Sequence, residues 1–146
     1  MGKNGKKILI IDDDIDLVEA NRVVLEASGY RVAAAYTPGD GALQMKREPP
    51  DLVILDVLFG RNKRSDGFQL ARQFRMDKDT AGVPILMMTS VNRVYPEFGF
   101  SGDDSAFIPV DIFLDKPAPP ALLIRKVQEL LTMDSSKWTD WAGLKE

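Results

Sequence analysis

The sequence predicts an α/β class domain, a doubly wound five-stranded parallel sheet with helices on both faces. Three observations lead there. The runs Lys7–Ile11, Leu52–Leu55 and Pro84–Met88 are short, nearly all apolar and bounded by charge or proline. Continuous rather than alternating apolar strands mark a sheet covered on both faces, the usual condition of parallel strands. Segments of helical period fall between these runs, which makes the connections βα crossovers. A length of 146 residues fits one domain and buries a core without disulfide staples.

Taken in order, Lys7–Ile11 is the first strand. Ile15–Ser28 follows as a helix, with Leu17, Val18, Val24 and Leu25 on its inner face and Gly29 as its stop. Arg31–Tyr36 is a weaker, alanine-rich strand. Thr37-Pro38 reads as an N-cap followed by proline in the first helical position, opening a helix that runs to about Glu48 before Pro49-Pro50 ends it. Leu52–Leu55 is the third strand. Phe68–Met76 is a helix with Ala71 and Phe74 turned inward, and Pro84–Met88 is the fourth strand. Asp111–Leu114 is a short fifth strand. The last helix begins near Pro119 and is marked by Leu122, Ile124, Val127, Leu130 and Leu131. Between the fourth and fifth strands, Val91–Val110 holds Pro96, Gly99, Gly102 and Pro109 among four aromatic residues, and no helical period persists there. The helix due at that point, the fourth in chain order, is therefore expected to be degraded or missing. The reading divides the chain into a domain at 1–132 and a short tail at 133–146 with no second domain.

Composition removes several function classes. There is no cysteine, so neither thiolate chemistry nor a Cys-ligated metal. There is no histidine, which excludes Ser-His-Asp triads and His-ligated metals. The net charge of −3 lacks the basic footprint of a nucleic-acid binder. No apolar run approaches the roughly 20 residues of a membrane span. A cytoplasmic protein with neither nucleic acid nor membrane as a partner is the expectation.

In an open parallel sheet, ligands bind beyond the C-terminal ends of the strands. The first strand here ends in Asp12-Asp13-Asp14, the third in Asp56, the fourth in Thr89-Ser90 and the fifth in Asp115-Lys116-Pro117. Carboxylates gathered at one edge repel one another, and a divalent cation relieves that repulsion. Oxygen-only ligands favour a hard ion, Mg²⁺ above all where phosphate is to be met. A metal-held carboxylate, an ammonium and a hydroxyl together can receive a phosphoryl group. Asp14 also serves as the N-cap of the first helix.

These motifs, Ile8–Asp14, Asp51–Asp56, Met88-Thr89-Ser90 and Phe113–Pro117, resemble the response-regulator receiver domains of two-component signalling, the CheY-like family, over about residues 6–132. The resemblance implies the flavodoxin-like strand order 2-1-3-4-5. It implies that Asp56 is the phosphoacceptor, and that Asp12, Asp13, Asp56 and the backbone carbonyl of Leu58 hold Mg²⁺. Thr89 and Lys116 take the places of the phosphate-binding switch hydroxyl and ammonium, Phe113 that of the switch aromatic, and Pro117 that of a cis-proline. A sensor histidine kinase or a histidine phosphotransfer protein would supply the phosphoryl group, and a downstream protein would read the result. The domain would then be a non-enzymatic, apparently stand-alone signalling module. Two departures stand out. Asp56 lies ten residues before Asp66-Gly67 where the family usually has about seven, and Val91–Val110 is irregular. An unphosphorylated, receiver-like interaction scaffold is the alternative. A phosphatase working through an aspartyl phosphate fits less well, because such enzymes place an acid two residues after the nucleophile and Leu58 stands there.

Overall fold

The computed structural model describes residues 5–59, 66–89 and 111–132, apart from the side chains of Asp66 and Thr89. Within these residues the order is β1 (Lys7–Ile11), α1 (Ile15–Ala27), β2 (Arg31–Ala35), α2 (Pro38–Arg47), β3 (Leu52–Asp56), α3 (Asp66–Met76), β4 (Ile85–Thr89), β5 (Ile112–Asp115) and α4 (Pro120–Thr132). The five strands are parallel and lie in the order β2-β1-β3-β4-β5. Val91–Val110, where a degraded or missing helix is expected, lies outside the described residues, as do residues 133–146.

The pleat sorts the core into two layers. Ile8, Ile10, Leu52, Ile54, Leu86, Met88 and Leu114 face α1 and α4, whose Val18, Leu25, Leu123, Val127 and Leu130 cover them. Leu9, Ile11, Val53, Leu55, Ile85 and Met87 face α2 and α3, meeting Met45, Leu70, Ala71 and Phe74. Every central strand is buried on both sides, which is why its sequence shows no alternation. α2 has few large apolar residues, and it lies close instead: a Cβ on Gly41 would fall 2.7 Å from two carbons of the buried Ile11 side chain.

Helix ends follow their capping residues. Asp14 accepts from the Leu17 amide at 3.1 Å, and Thr37 from the Asp40 amide at 3.0 Å. Gly29 takes φ of 100° just past α1. Pro119 is the residue before α4 and accepts the Leu123 amide at 3.0 Å, so the helix opens with Pro120 in its first position.

Some boundaries differ from the sequence reading. α3 starts at Asp66 rather than Phe68, because Gly67 lets the helix begin against the β3 backbone, as detailed below. β4 starts at Ile85 because Pro84 has no amide to give, although its carbonyl still accepts from Val53 at 3.0 Å. β5 runs Ile112–Asp115, one residue later than read. Asp111 turns its carboxylate back to accept the Ile85 amide at 2.8 Å. In α1, Leu17 and Val24 are only half-buried, and Asn21 completes the inner face with Val18 and Leu25. In α4, Leu123 rather than Ile124 or Leu131 is fully buried.

The Asp111 carboxylate also meets Arg75 Nη2 at 2.6 Å, with both side chains almost fully covered. Arg75 Nη1 donates to the carbonyls of Ala81 and Val83 at 2.9 and 2.8 Å. One guanidinium thus ties the end of α3, the approach to β4 and the start of β5. Burial pushes the Asp111 carboxyl above its ordinary pKa, and the Arg75 charge only partly offsets this. Removing one partner of a buried pair strands the other. Arg75→Met should therefore cost about 3–5 kcal/mol in urea unfolding near neutral pH. The loss should shrink toward pH 5, because the orphaned Asp111 carboxyl can then take a proton. A loss that is equal at both pH values would contradict this account.

Candidate functional site

The strand order reverses direction between β1 and β3, and that is where the acids collect. Ile11 pairs in register with Leu55, so Asp12 and Asp56 leave neighbouring strands side by side. Asp12 extends the β1–β2 ladder by one bond, its amide donating to the Ala35 carbonyl at 3.0 Å. Its side chain accepts from the Asp14 amide at 2.9 Å, which fixes the turn into α1. Carboxylate oxygens of Asp12, Asp13 and Asp56 all lie within 4.8 Å of one another. Asp12 and Asp56 are buried and Asp13 is half-buried.

Lys116 enters from the end of β5. Its ammonium sits 3.0 Å from Asp56 Oδ1 and 3.1 Å from Asp12 Oδ2. The Lys116–Pro117 peptide bond is cis. Burial opposes the charge on Lys116, but the Asp56 and Asp12 carboxylates outweigh it and hold its pKa above the ordinary lysine value. Burial, and then the neighbouring Asp12 charge, push the Asp56 carboxyl up to about 7. Lys116 and the Leu58 backbone amide, which donates to the Asp56 carboxylate, pull the other way. When all three acids are ionised, one ammonium leaves two negative charges in excess. That donor set is all oxygen, crowded and electrostatically unsatisfied, and it fits a hard divalent cation.

Thr89 closes β4 in register with Asp115, and its side chain lies outside the described residues. Phe113 is half-buried on the α2–α3 side of the sheet, its ring centroid 6.5 Å from that of Phe68 on α3. Leu58 packs against the same layer.

Several contributors escaped the sequence reading. A Cβ on Gly67 would lie 2.0 Å from the Asp56 carbonyl oxygen and 2.7 Å from Val57 Cα, and the Gly67 amide donates to Val57 at 2.9 Å. The first turn of α3 therefore rests on the backbone that carries Asp56, and only glycine fits there. The Asp66-Gly67 pair was visible in the sequence, but this contact was not. Asn21, buried in α1, aims its amide at Met88 Sδ 3.8 Å away. A lone polar residue on an apolar helix face carries no signal of its own. Phe68 entered the sequence reading only as the first residue of its helix.

Comparison with known proteins agrees with this geometry. The family model for the response regulator receiver domain matches residues 8–128. The chain belongs to that family. It is thus a receiver domain, a signalling module of two-component systems. It is 32% identical over 125 residues to the DNA-binding dual master transcriptional regulator RpaA of a Synechocystis strain, a match covering 86% of this chain and 48% of RpaA. It is 34% identical over 88 residues to Protein PilH of Pseudomonas aeruginosa, covering 60% of this chain and 69% of PilH. The chain spans about half the length of several curated relatives it matches. Among solved structures, a CheY-like receiver from Methanospirillum hungatei superposes with a TM-score of 0.72 at 27% identity, covering 90% of this chain and 97% of that one. CheY4 of Vibrio cholerae gives 0.72 at 25% identity, covering 86% and 98%. The receiver has no helix among its described residues long and apolar enough to cross a membrane.

The raised Asp56 pKa has a consequence for stability in metal-free buffer. Between about pH 4, where the unfolded carboxyl titrates, and pH 7, where the folded one does, the folded state holds the extra proton. Asp56 therefore lowers stability progressively as pH rises through that window. Asp56→Asn should remove this component. Urea midpoints of the variant and parent should converge near pH 4 and separate in favour of the variant by pH 8. Parallel profiles would show that Asp56 titrates normally.

Proposed function

We propose that Asp56 is the phosphoacceptor of this receiver, that Asp12, Asp13, Asp56 and the Leu58 carbonyl hold Mg²⁺, and that Thr89, Lys116 and Phe113 read the phosphoryl group. The observation that supports this best is Lys116, whose ammonium meets Asp56 and Asp12 at 3.0 and 3.1 Å at the point where the strand order reverses. Bound Mg²⁺ would neutralise excess acid charge and screen the incoming phosphoryl oxygens. An Asp56 carboxylate oxygen attacks phosphorus, and the bond from phosphorus to the donor's nitrogen or oxygen breaks. The leaving group keeps the electron pair and takes up a proton. The donor is a histidine kinase or a histidine phosphotransfer protein, since this chain has no histidine of its own. Lys116 then exchanges its carboxylate contacts for phosphoryl oxygens. The added charge of about −1.5 to −2 gives Thr89 and Lys116 a reason to favour a second conformation. A partner protein reads that conformation.

Phosphoramidate or acetyl phosphate should label the chain once, on Asp56, and only with Mg²⁺ present. Intact-mass spectrometry should show one phosphoryl group that Asp56→Asn loses. Full labelling of that variant, or labelling in excess EDTA, would overturn the assignment, and no labelling at all would favour an unphosphorylated scaffold.

The phosphoryl state should also be long-lived. Hydrolysis needs a water in line with phosphorus, and Leu58, two residues beyond Asp56, offers that water no hydrogen bond. Val91, two residues beyond Thr89, lies outside the described residues. Leu58→Asn should speed decay of the labelled protein by up to about 10²–10³-fold. A parent that decays within seconds and a variant no faster would remove water exclusion as the cause.

A further inference from the structure

Two residues of α3 reach toward the edge strand β5. Phe68 and Arg75 are seven residues apart, about two helical turns, so they lie on one stripe of the helix. Arg75 meets Asp111 just before β5, and Phe68 meets Phe113 further along it. The two ring centroids are 6.5 Å apart and the ring planes are inclined by 59°. That separation and tilt suit an edge-to-face pair, whose attraction exceeds what buried area alone supplies. The two ties differ in cover. The Arg75–Asp111 pair is almost fully shielded from water, whereas both phenyl rings are half-buried.

Each ring is also connected to Asp56. Gly67, the residue before Phe68, rests on the Asp56 carbonyl and on Val57, and its amide donates to the Val57 carbonyl at 2.9 Å. Lys116 follows Phe113 by three residues and holds its ammonium 3.0 Å from Asp56 Oδ1 and 3.1 Å from Asp12 Oδ2. One route runs from Asp56 along the backbone to α3. The other runs through Lys116 to β5, and the ring pair joins the two into a closed loop. The Phe68–Phe113 contact and the Lys116–carboxylate contacts occur in the same arrangement of the site. A contact made in one arrangement and lost in another weights the first against the second.

We propose that Phe68 is a positioning residue: by bracing the Phe113 ring it holds the end of β5, and with it Lys116, in the arrangement where Lys116 bonds the bare acids. A phosphoryl group on Asp56 draws Lys116 off those acids, and the end of β5 that follows it moves Phe113 away from Phe68. Phe68 thus sets how readily the site leaves its resting arrangement. An aromatic pair of this kind shifts such a balance about 2- to 10-fold. The proposal rests on Asp56 being the phosphoacceptor.

Beryllofluoride, an acyl-phosphate mimic, tests it on the full chain with Mg²⁺ present, its affinity read by fluorine NMR of the bound species. Phe68→Leu keeps an apolar side chain but no ring, and should bind the mimic about 2- to 10-fold more tightly than the parent. Phe113→Leu should gain likewise. The double variant should gain no more than either single one, because all three lack the same contact. Phe68→Tyr keeps the ring and, at a half-buried position, can turn its hydroxyl to water, so it should bind as the parent does. A purely structural role for Phe68 would lower the urea midpoint of Phe68→Leu and leave its affinity for the mimic at the parent's value, which would overturn the proposal. Weaker binding by Phe68→Leu, or gains that add in the double variant, would overturn it as well. A parent that binds no beryllofluoride would remove the phosphoacceptor reading itself, and the proposal with it.

Discussion

Parallel strands all deliver their C-terminal ends to one edge of a sheet, and this chain lines that edge with carboxylates. Neutral groups there would cost little. Asp12, Asp13 and Asp56 instead create a local excess of negative charge in a place half closed to water. Everything near them answers that excess. Lys116 reaches over from β5 to meet two of the acids, Asp14 amide binds Asp12, and the Leu58 amide binds Asp56. The arrangement remains short of positive charge, and a site in that condition responds strongly to any cation or anion that enters it.

The backbone that holds the acids is correspondingly stiff. Ile8, Leu9, Ile10 and Ile11 are fully covered, as are Leu52 and Leu55 in the neighbouring strand, so Asp12 and Asp56 project from a close-packed base. Gly67 brings α3 into contact with the same backbone from the other side. Phe68, the next residue, carries its ring to Phe113 on β5. A short covalent and packed path therefore runs from the Asp56 peptide to the fifth strand, beside the direct route through Lys116.

Much of this was readable in the sequence, and the reason is specific. Buried strands leave four or five apolar letters in a row, and their ends are punctuated by charged residues. Asp12, Asp56 and Lys116 could thus be assigned to one edge before any coordinates, and the structure brings their side chains together. Asp13 joins them in the carboxylate cluster. What stayed hidden were contacts between residues distant in sequence whose letters look ordinary. Arg75 reads as one more polar residue near the end of a helix, and Asp111 as the first residue of the fifth strand. Gly67 reads as loop punctuation. Their roles depend on where α3 lands, and local pattern does not encode that. Strand and helix limits shifted by one or two residues for similar reasons. Pro84 lacks an amide, and the Asp111 side chain occupies a bond that a longer strand would have used.

The Arg75–Asp111 joint also bears on the long connection between β4 and β5. That connection leaves the sheet at Thr89 and returns at Asp111, where Arg75 and the Ile85 amide hold the carboxylate at 2.6 and 2.8 Å. From there Met87 pairs with Phe113 and Met88 with Leu114, and Lys116 arrives two residues later. The residue immediately before β5 is therefore pinned by one ion pair and one backbone hydrogen bond, at the point where the ladder with β4 begins. The β4–β5 ladder then carries that anchor forward to Asp115, the neighbour of Lys116.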